Sequence, residues 1–207
     1  MGCTAETKRC VYWNEQGYER PECCTEILKD CLFLARELLN SLGVKWWVSY
    51  GTLLGAYRHE GTFIPWDTDC DVSFLYDDIP RIMELRDKVQ SRGFVMSFHD
   101  KDSKGYPGLI KISRSDKNTQ HCDLWPWKVQ RGFWPWQWGR KWMFRPHPSP
   151  PLKKEKGART RYFPASFIQQ MEAIQLYSVE FPCPSPVRDF LVWGYGKDFM
   201  TPSRWRR

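Results

Sequence analysis

The chain has 207 residues, 42% of them hydrophobic and 16% aromatic, and a formal net charge of +7. This length suits one domain with a full hydrophobic core. We expect a soluble chain, because no run approaches the roughly 18 apolar residues of a membrane span. Residues 1–17 also lack the apolar part of a signal peptide. The positive charge indicates polyanionic partners, such as nucleic acid, an acidic membrane surface or phosphorylated small molecules.

The N-terminal part of the chain is polar and rich in cysteine. Residues 1–22 are interpreted as an irregular extension in front of a single domain over residues 23–207. The eight cysteines of the chain are Cys3, Cys10, Cys23, Cys24, Cys31, Cys70, Cys122 and Cys183. Because the N-terminal ones show no spacing typical of a zinc site, the pattern favours a segment tied by disulfides over a metal knuckle.

The first predicted elements are a helix, a strand and a second helix. In "TEILKDCLFLARELLNSLG" the apolar residues recur at helical spacing, with Thr25 placed to cap the helix and Gly43 to end it. "VKWWVSY" predicts a buried strand, and Gly51 and Thr52 predict a sharp turn into a short helix that begins at Leu53. Such a unit offers backbone N–H groups to a phosphate; an ordinary connecting turn is the alternative.

Three aspartates then follow at alternate positions in "FIPWDTDCDVSF". In an extended strand, residues i, i+2 and i+4 share one face, so Asp67, Asp69 and Asp71 would lie side by side. Carboxylates held together repel one another unless a cation lies between them, and Mg²⁺ and Mn²⁺ prefer such oxygen ligands. The spacing alone predicts equally well an exposed edge strand with a solvated acidic face.

The rest of the chain predicts further helices and strands. "DDIPRIMELRDKVQSRG" is typical of a helix, and "FVMSF", "GLIKISRS" and "QHCDLWPW" are typical of strands. The last of these contains Asp123, which is either a further metal-binding acid or a residue that caps a turn. The tryptophan-rich residues 132–142 predict a hairpin that serves as a sugar platform or as a hydrophobic plug. A short helix is predicted from Ser185 to Trp193.

Together these motifs resemble the signature of the LicD family. The block "YGTLLGAYRHEGTFIPWDTDCDVSF" carries that family's Gly-Thr-Leu-Leu-Gly turn and its Ile-Pro-Trp-Asp sequence with alternating aspartates. "IKISR", "HCDLWPW" and "YGKDFMTP" follow in the family's order, and the resemblance runs from about Leu28 to Pro202. Family members include phosphocholine transferases and transferases that move ribitol phosphate to a glycan. The tryptophan-rich residues match no part of this pattern.

The resemblance implies an α/β (α+β) fold of the nucleotidyltransferase type, with a mixed sheet flanked by helices. It also implies that residues 23–207 form a metal-dependent phosphotransferase domain. By the family's pattern, Gly51 and Thr52 hold the donor phosphate. Asp69, Asp71 and Asp123 then bind Mg²⁺ or Mn²⁺ as the catalytic acids, and Asp123 is the candidate to accept the proton of the acceptor hydroxyl.

The same pattern assigns further substrate contacts. Asp67 precedes the metal ligands on the same strand face, where it would either support them without binding the metal itself or contact the substrate. Arg58, Lys111 and Arg114 are candidates for binding the donor phosphates, and each is equally able to form a surface salt bridge. His121 lies beside a motif aspartate and is expected to be structural.

The implied reaction moves a phospho-alcohol from a CDP-linked donor to a hydroxyl of a glycan or glycoconjugate, with CMP leaving. A nucleic-acid or nucleotide-processing enzyme of the same fold is one alternative. No nucleic acid is expected, however, because the positive charge forms no continuous patch in sequence. A catalytically inactive glycan-binding homologue is the other alternative. The sequence leaves open the transferred alcohol, the acceptor, the oligomeric state, and whether the chain lies in the secretory lumen or the cytoplasm.

Overall fold

In the part of the chain that the computed structural model describes, the strands form two sheets, against which the helices pack. The structure describes residues 3–8, 19–100, 108–131, 141–144 and 162–202. Its helices are α1 (Glu22–Leu42), α2 (Tyr50–Arg58), α3 (Ile79–Met83), α4 (Arg86–Ser91) and α5 (Val187–Tyr195). Its strands are β1 (Trp46–Val48), β2 (Cys70–Leu75), β3 (Val95–His99), β4 (Leu109–Ser113), β5 (His121–Arg131), β6 (Lys141–Phe144), β7 (Tyr162–Pro164), β8 (Met171–Leu176) and β9 (Val179–Pro184).

A mixed sheet forms the centre of the fold. Its strand order is β1-β2-β5-β4-β3, with β2 parallel to β5 and the other neighbours antiparallel. The far end of β5 pairs with β6, which pairs with β7, and β8 and β9 form a separate hairpin. Helix α1 packs across β5, β2 and β4, and α2 packs against β2. The predicted α/β fold with a mixed sheet flanked by helices is confirmed.

Helix α1 supplies much of the hydrophobic core. Its buried residues, which repeat at helical spacing, are Cys24, Ile27, Leu28, Cys31, Leu32, Leu34, Ala35, Leu38 and Leu39. The helix ends where the sequence predicts, because Gly43 adopts φ 62°, a left-handed conformation that glycine favours. It begins earlier than predicted, after Pro21, so Thr25 does not cap it. The Thr25 hydroxyl instead accepts a hydrogen bond from Arg20 Nε at 3.0 Å.

The aspartate run forms a strand only in its second half. Strand β2 begins at Cys70, so Asp67 and Asp69 lie in the loop before it, and the predicted continuous strand is wrong. Pro65 has no backbone N–H to donate to a sheet, and the Asp67 N–H donates to the Ile64 carbonyl at 3.0 Å. The chain therefore turns here before it enters the sheet.

The tryptophan-rich segment is described only in part. Residues 132–140 lie outside the described residues, whereas Trp142 is buried on β6 with its ring centroid 5.8 Å from that of Trp193. Trp142 thus contributes to packing, and the roles predicted for the other tryptophans stay predictions, as does the domain boundary at residue 22. None of the helices in the described ranges has both the length and the hydrophobicity of a membrane span.

Candidate active site

A cluster of acids lies where β2 runs parallel to β5. The register pairs Asp71 with Asp123, so both side chains project from the same face of the sheet. They are nearly buried, at 9% and 5% exposure. Asp69 reaches them from the loop before β2, and one ligand atom each of Asp69, His121 and Asp123 lie within 4.8 Å of one another. The fold therefore brings two of the three predicted metal ligands together with a histidine, and the third, Asp71, lies beside Asp123 on the neighbouring strand.

Asp123 lies between two nitrogen groups. Its Oδ1 atom is 3.0 Å from Lys111 Nζ and 3.2 Å from His121 Nε2. Burial raises the pKa of the Asp123 carboxyl, but the contacts with His121 and Lys111 outweigh burial and hold that pKa below its usual value. No described residue donates to this buried oxygen in good hydrogen-bond geometry, which leaves a lone pair for a further ligand.

A backbone carbonyl sets the orientation of His121. The Nδ1 atom lies 2.8 Å from the Thr119 carbonyl oxygen and donates to it, so Nε2 is the ring nitrogen that faces the acids. Nε2 faces Lys111 Nζ at 3.0 Å and Asp69 Oδ2 at 3.8 Å. A histidine fixed through its second nitrogen in this way is typical of metal ligands. This placement differs from the purely structural role expected from the sequence.

The carboxyl groups of Asp71 and Asp67 lie in largely desolvated surroundings. Trp125 Nε1 donates to Asp71 Oδ1 at 2.9 Å, and the Asp71 backbone N–H donates to Thr52 Oγ1 at 2.7 Å. Burial, followed by the charges of neighbouring aspartates, raises the pKa of Asp71 well above its ordinary value. Burial, followed by the charge of Asp69, raises the pKa of Asp67 to about 7. Both shifts show that the cluster disfavours further negative charge.

Helix α2 approaches the acids with its first turn. Gly51 and Thr52 belong to this turn, because α2 begins at Tyr50; the predicted turn before the helix is wrong. A Cβ atom at Gly51 would lie 2.3 Å from Asp67 Oδ2 and 3.8 Å from Asp71 Oδ2, so glycine is needed for this approach. Since the Thr52 side chain is buried against β2, the backbone N–H groups of this turn are the better phosphate donors.

The cluster has the composition of a site for a divalent cation. Asp69 and Asp123 offer carboxylate oxygens, which Mg²⁺ and Mn²⁺ prefer, and His121 Nε2 offers a nitrogen that Mn²⁺ accepts more readily. Asp71, paired with Asp123 in the sheet, adds a further carboxyl next to this group. The lone pair on Asp123 Oδ1 and the raised pKa values nearby both indicate a place suited to positive charge. These residues fit the predicted metal.

A cleft of about 450 Å³ opens beside the cluster. Its walls include Arg58 from α2, Trp66 and Asp67 from the loop before β2, and Tyr195 and Asp198 from the C-terminal end of the described chain. Within the described residues, the Arg58 guanidinium pairs with no carboxylate; it donates to a backbone carbonyl at 3.0 Å and to a histidine ring at 3.1 Å. The cleft volume and its few polar groups suit a small ligand.

Most of the predicted site residues meet at this place. Those at the cluster or its cleft are Gly51, Thr52, Arg58, Asp67, Asp69, Asp71, Lys111 and Asp123. Arg114 does not join them. It donates to the Gly93 carbonyl at 2.7 Å, and its guanidinium lies 4.9 Å from the Phe94 ring centroid. Its role in donor binding stays a prediction that these contacts do not favour.

Sequence reasoning did not single out Trp125 and Tyr195. Trp125 lies two residues after Asp123, and side chains two apart share a strand face, so the alternation of β5 could have indicated its contact with the acids. Tyr195 opens the motif "YGKDFMTP" and lines the cleft.

A second group of candidate ligands lies at the N-terminus. Cys3 Sγ is 2.9 Å from Cys23 Sγ and 3.5 Å from Cys24 Sγ, and the three sulfurs form one compact group. A disulfide requires about 2.05 Å, and all seven described cysteines are free, so the expected disulfides are wrong within the described residues. Cys10 lies outside them. Three thiols in contact form a soft donor set of the kind that binds Zn²⁺.

Comparison with known proteins identifies relatives of this chain. Human and mouse proteins named ribitol 5-phosphate transferase FKRP are 33% and 32% identical to it over 146 and 145 residues, which cover 64% of this chain and 28% of each relative. The chain thus matches less than a third of the length of those proteins. The lincomycin-bound structure of the lincosamide antibiotic adenylyltransferase LnuA aligns with 77% of this chain at 13% identity, and the alignment covers 81% of the LnuA chain. Its TM-score of 0.44 is too low to bear on function.

The domain of one protein family matches most of the chain. The LicD/FKTN/FKRP nucleotidyltransferase domain matches residues 43–186. This range contains α2, the aspartate loop and the strands β2, β4 and β5 that build the acid cluster. Because the match covers well over half of the sequence, the chain belongs to the LicD/FKTN/FKRP family and contains its nucleotidyltransferase domain.

Proposed function

We propose that this chain is a metal-dependent transferase that moves a phospho-alcohol from a CDP-linked donor to a hydroxyl of a glycan. The observation that carries the proposal is the buried acid cluster on the parallel pair β2 and β5, next to the first turn of α2 and an open cleft. Family membership and the relatives named for ribitol 5-phosphate transfer support the same reaction type.

We take a polyol phosphate rather than phosphocholine as the transferred group. Arg58 contributes a half-buried guanidinium to the cleft wall, which suits the donor phosphate whichever alcohol it carries. Asp67 and Asp198 offer acceptors for the hydroxyl groups of a polyol. The relatives of this chain named in the comparison are ribitol 5-phosphate transferases, which agrees with this choice.

In the proposed mechanism, Asp69, Asp123 and His121 would hold Mg²⁺ or Mn²⁺, with Asp71 beside Asp123 as a further carboxyl. The bound ion supplies positive charge that offsets the charge of the donor diphosphate. Lys111, next to Asp123, and Arg58, in the cleft wall, would donate hydrogen bonds to donor phosphate oxygens. The backbone N–H groups at the start of α2 add further donors, and the positive end of the helix dipole favours the same anion.

Asp67 is the better candidate for general base in this reaction. The lowered pKa of Asp123 makes that carboxylate a weak proton acceptor, whereas Asp67 lines the cleft and has a pKa of about 7. The acceptor oxygen attacks the phosphorus that bears the alcohol, and its proton passes to Asp67. The new O–P bond forms as the bond to CMP breaks, and CMP leaves with that electron pair.

A thermal-shift panel tests the proposal. CDP-ribitol, CDP-glycerol, CDP-choline and CMP are added with and without Mn²⁺ to the wild type, to Asp69→Asn/Asp123→Asn, and to the control Asp87→Asn, an exposed acid on α4. We expect CDP-ribitol with Mn²⁺ to raise the melting temperature of the wild type and the control only, since binding to the native state stabilises it by mass action.

The other outcomes of the panel decide between the alternatives. Stronger stabilisation by CDP-choline than by CDP-ribitol contradicts the choice of cargo. Stabilisation of the double variant as large as that of the wild type contradicts the metal site. A wild type that responds to no CDP compound, with or without metal, contradicts the transferase and leaves the catalytically inactive homologue as the better description.

A further inference from the structure

A buried arginine from the N-terminal extension holds the loop that carries the acids. Arg20 is 8% exposed and precedes α1, yet its side chain reaches the loop between α2 and β2. Its Nη1 atom donates to the carbonyl oxygens of Asp67 at 2.6 Å and Ile64 at 3.3 Å. Its backbone N–H donates to the Pro65 carbonyl at 2.8 Å.

The other face of the guanidinium is fixed as well. Nε donates to Thr25 Oγ1 at 3.0 Å, and the guanidinium carbon lies 5.4 Å from the centroid of the Phe63 ring. One planar group thus joins helix α1 to several points of a loop that has no sheet partners of its own. Lysine could not make these contacts together, because its ammonium is a single point on a flexible stem.

The contacts of Arg20 are with carbonyls rather than with carboxylates. Among the described residues, no carboxylate oxygen lies within ion-pair distance of its guanidinium. A buried cation without a paired carboxylate is costly unless it meets another need. Here the positive charge lies against the backbone of a loop whose Asp67 carboxylate approaches Gly51 and whose Asp69 carboxylate joins the acid cluster.

The loop needs such support because both of its aspartates must be placed closely. Asp67 Oδ2 fits against the α2 turn only because Gly51 lacks a Cβ, and the Asp69 carboxylate must reach His121 and Asp123 from outside the strand. A shift of the loop by an ångström would separate these ligand atoms. Groups that orient metal ligands commonly affect metal affinity by about 10- to 100-fold.

We propose that Arg20 is a positioning residue of the active site, which holds the residue 63–69 loop so that Asp67 and Asp69 meet the acids of the sheet. The part of this inference that concerns metal affinity rests on the proposed function. The part that concerns the order of the loop does not.

The test compares Arg20→Gln and Arg20→Lys with the control Arg36→Gln. Arg36 is a suitable match, because its Nε also donates to a backbone carbonyl, that of Glu180 at 3.1 Å, and its guanidinium lies 5.6 Å from the Phe181 ring centroid. Among the described residues, these contacts tie Arg36 to β9 and not to the 63–69 loop. Hydrogen–deuterium exchange of peptides that span residues 63–70 reports the order of the loop, and isothermal titration with Mn²⁺ reports metal affinity.

We expect Arg20→Gln to lose protection in the 63–70 peptides and to bind Mn²⁺ about tenfold more weakly. Arg20→Lys should keep the charge, lose part of the hydrogen bonding and give an intermediate result; it also provides a folded sample if Arg20→Gln does not fold. Arg36→Gln should leave both readouts at wild-type values.

Two results would overturn the inference. In the first, Arg20→Gln has wild-type exchange in these peptides and wild-type Mn²⁺ affinity. In the second, Arg36→Gln loosens the same peptides to the same extent, which would show general destabilisation instead. If the wild type binds no Mn²⁺, the proposed function fails, and the exchange data alone decide the role of Arg20.

Discussion

At the scale of single residues, the acid cluster combines groups that stabilise one another with groups that do not. Asp123 is compensated by Lys111 and His121, and its pKa is lowered. Asp71 receives one indole N–H, and burial with its neighbouring acids raises its pKa. Holding these carboxyl groups together lowers the free energy of unfolding, and a bound cation would raise it again.

Replacing Asp71 separates the loss of stability in the metal-free protein from the stabilisation that a bound ion provides. Asp71→Asn keeps an oxygen for the Trp125 N–H and removes a buried charge, so we expect a melting temperature a few degrees higher in chelator, at roughly 2–4 °C per kcal/mol for a chain of this size. The same variant should lose the stabilisation by Mn²⁺ that the wild type shows. A lower melting temperature in chelator, or unchanged stabilisation by Mn²⁺, would contradict this prediction.

Asp67 gives the metal-free protein a defined dependence on pH. Its pKa is about 7 in the folded protein against an ordinary value of 3.8, so between these values the folded state binds more protons than the unfolded state. The free energy of unfolding therefore falls as the pH rises from about 4 to about 7. Urea denaturation in chelator should show this fall in the wild type and a smaller fall in Asp67→Asn. Equal slopes would count against the raised pKa.

The sequence indicates the acids of the site better than the groups around them. Asp69, Asp71 and Asp123 stand in motifs whose spacing is visible along the chain. The placement of His121 beside the acids depends on its contact with the Thr119 carbonyl, and no sequence pattern shows that contact. Arg20 could not be found either, since it acts on a carbonyl 47 positions away and lies in a segment interpreted as an irregular extension.

At the scale of elements, helix α2 is pressed against the loop that follows it. A Cβ atom at Gly55 would lie 2.8 Å from both the Ile64 nitrogen and the Thr62 carbonyl oxygen. Backbone atoms cannot rotate away as a side chain can, so the helix approaches the loop this closely only with glycine on that face. The same packing holds the start of α2 beside the aspartates.

Gly55→Ala should therefore destabilise the fold, although alanine has the higher helix propensity. The matched control is Gly194→Ala in α5, where an added Cβ meets nothing within 4 Å. We expect Gly194→Ala to be neutral or stabilising by up to about 1 kcal/mol, and Gly55→Ala to cost about 1–3 kcal/mol through overpacking, both measured by urea denaturation. Similar values for the two variants would show that α2 can move away from the loop.

The predicted elements agree with the structure where periodicity is long and fail where local turns intervene. Helix α1 follows from its apolar repeat and Gly43. The continuous helix expected near residues 77–93 is instead α3 and α4, which are separate. The aspartate strand was predicted too long, because the turn that Pro65 permits depends on a hydrogen bond that alternation cannot reveal.

At the scale of the whole molecule, the N-terminal residues are tied to both loops that lead into the acid cluster. Arg20 holds the loop before β2. Residues 3–8 contact the turn before β5, where Asn118 Nδ2 donates to the Thr4 carbonyl at 2.8 Å and Lys117 pairs with Glu6. The extension thus contributes to the architecture of the site as well as preceding it.

The cysteine chemistry of this region can be checked directly. Because all seven described cysteines are free, alkylation in denaturant and chelator without reductant should label every one of them, as read by peptide mass spectrometry. The Cys3, Cys23 and Cys24 peptides are the most informative, since their sulfurs lie close together. Unlabelled cysteines recovered only after reduction would restore the disulfide interpretation.

The two ends of strand β5 have different partners and lie far apart. Its first residues pair with β2 and β4 beside the acids, and its last residues pair with β6. At about 3.3 Å per residue, Arg131 lies about 26 Å along the strand from Asp123. We therefore expect an insertion or deletion after Arg131 to leave the pairing of Asp71 with Asp123 unchanged, so that length variation at that end of β5 and the arrangement of the acids at the other are separable.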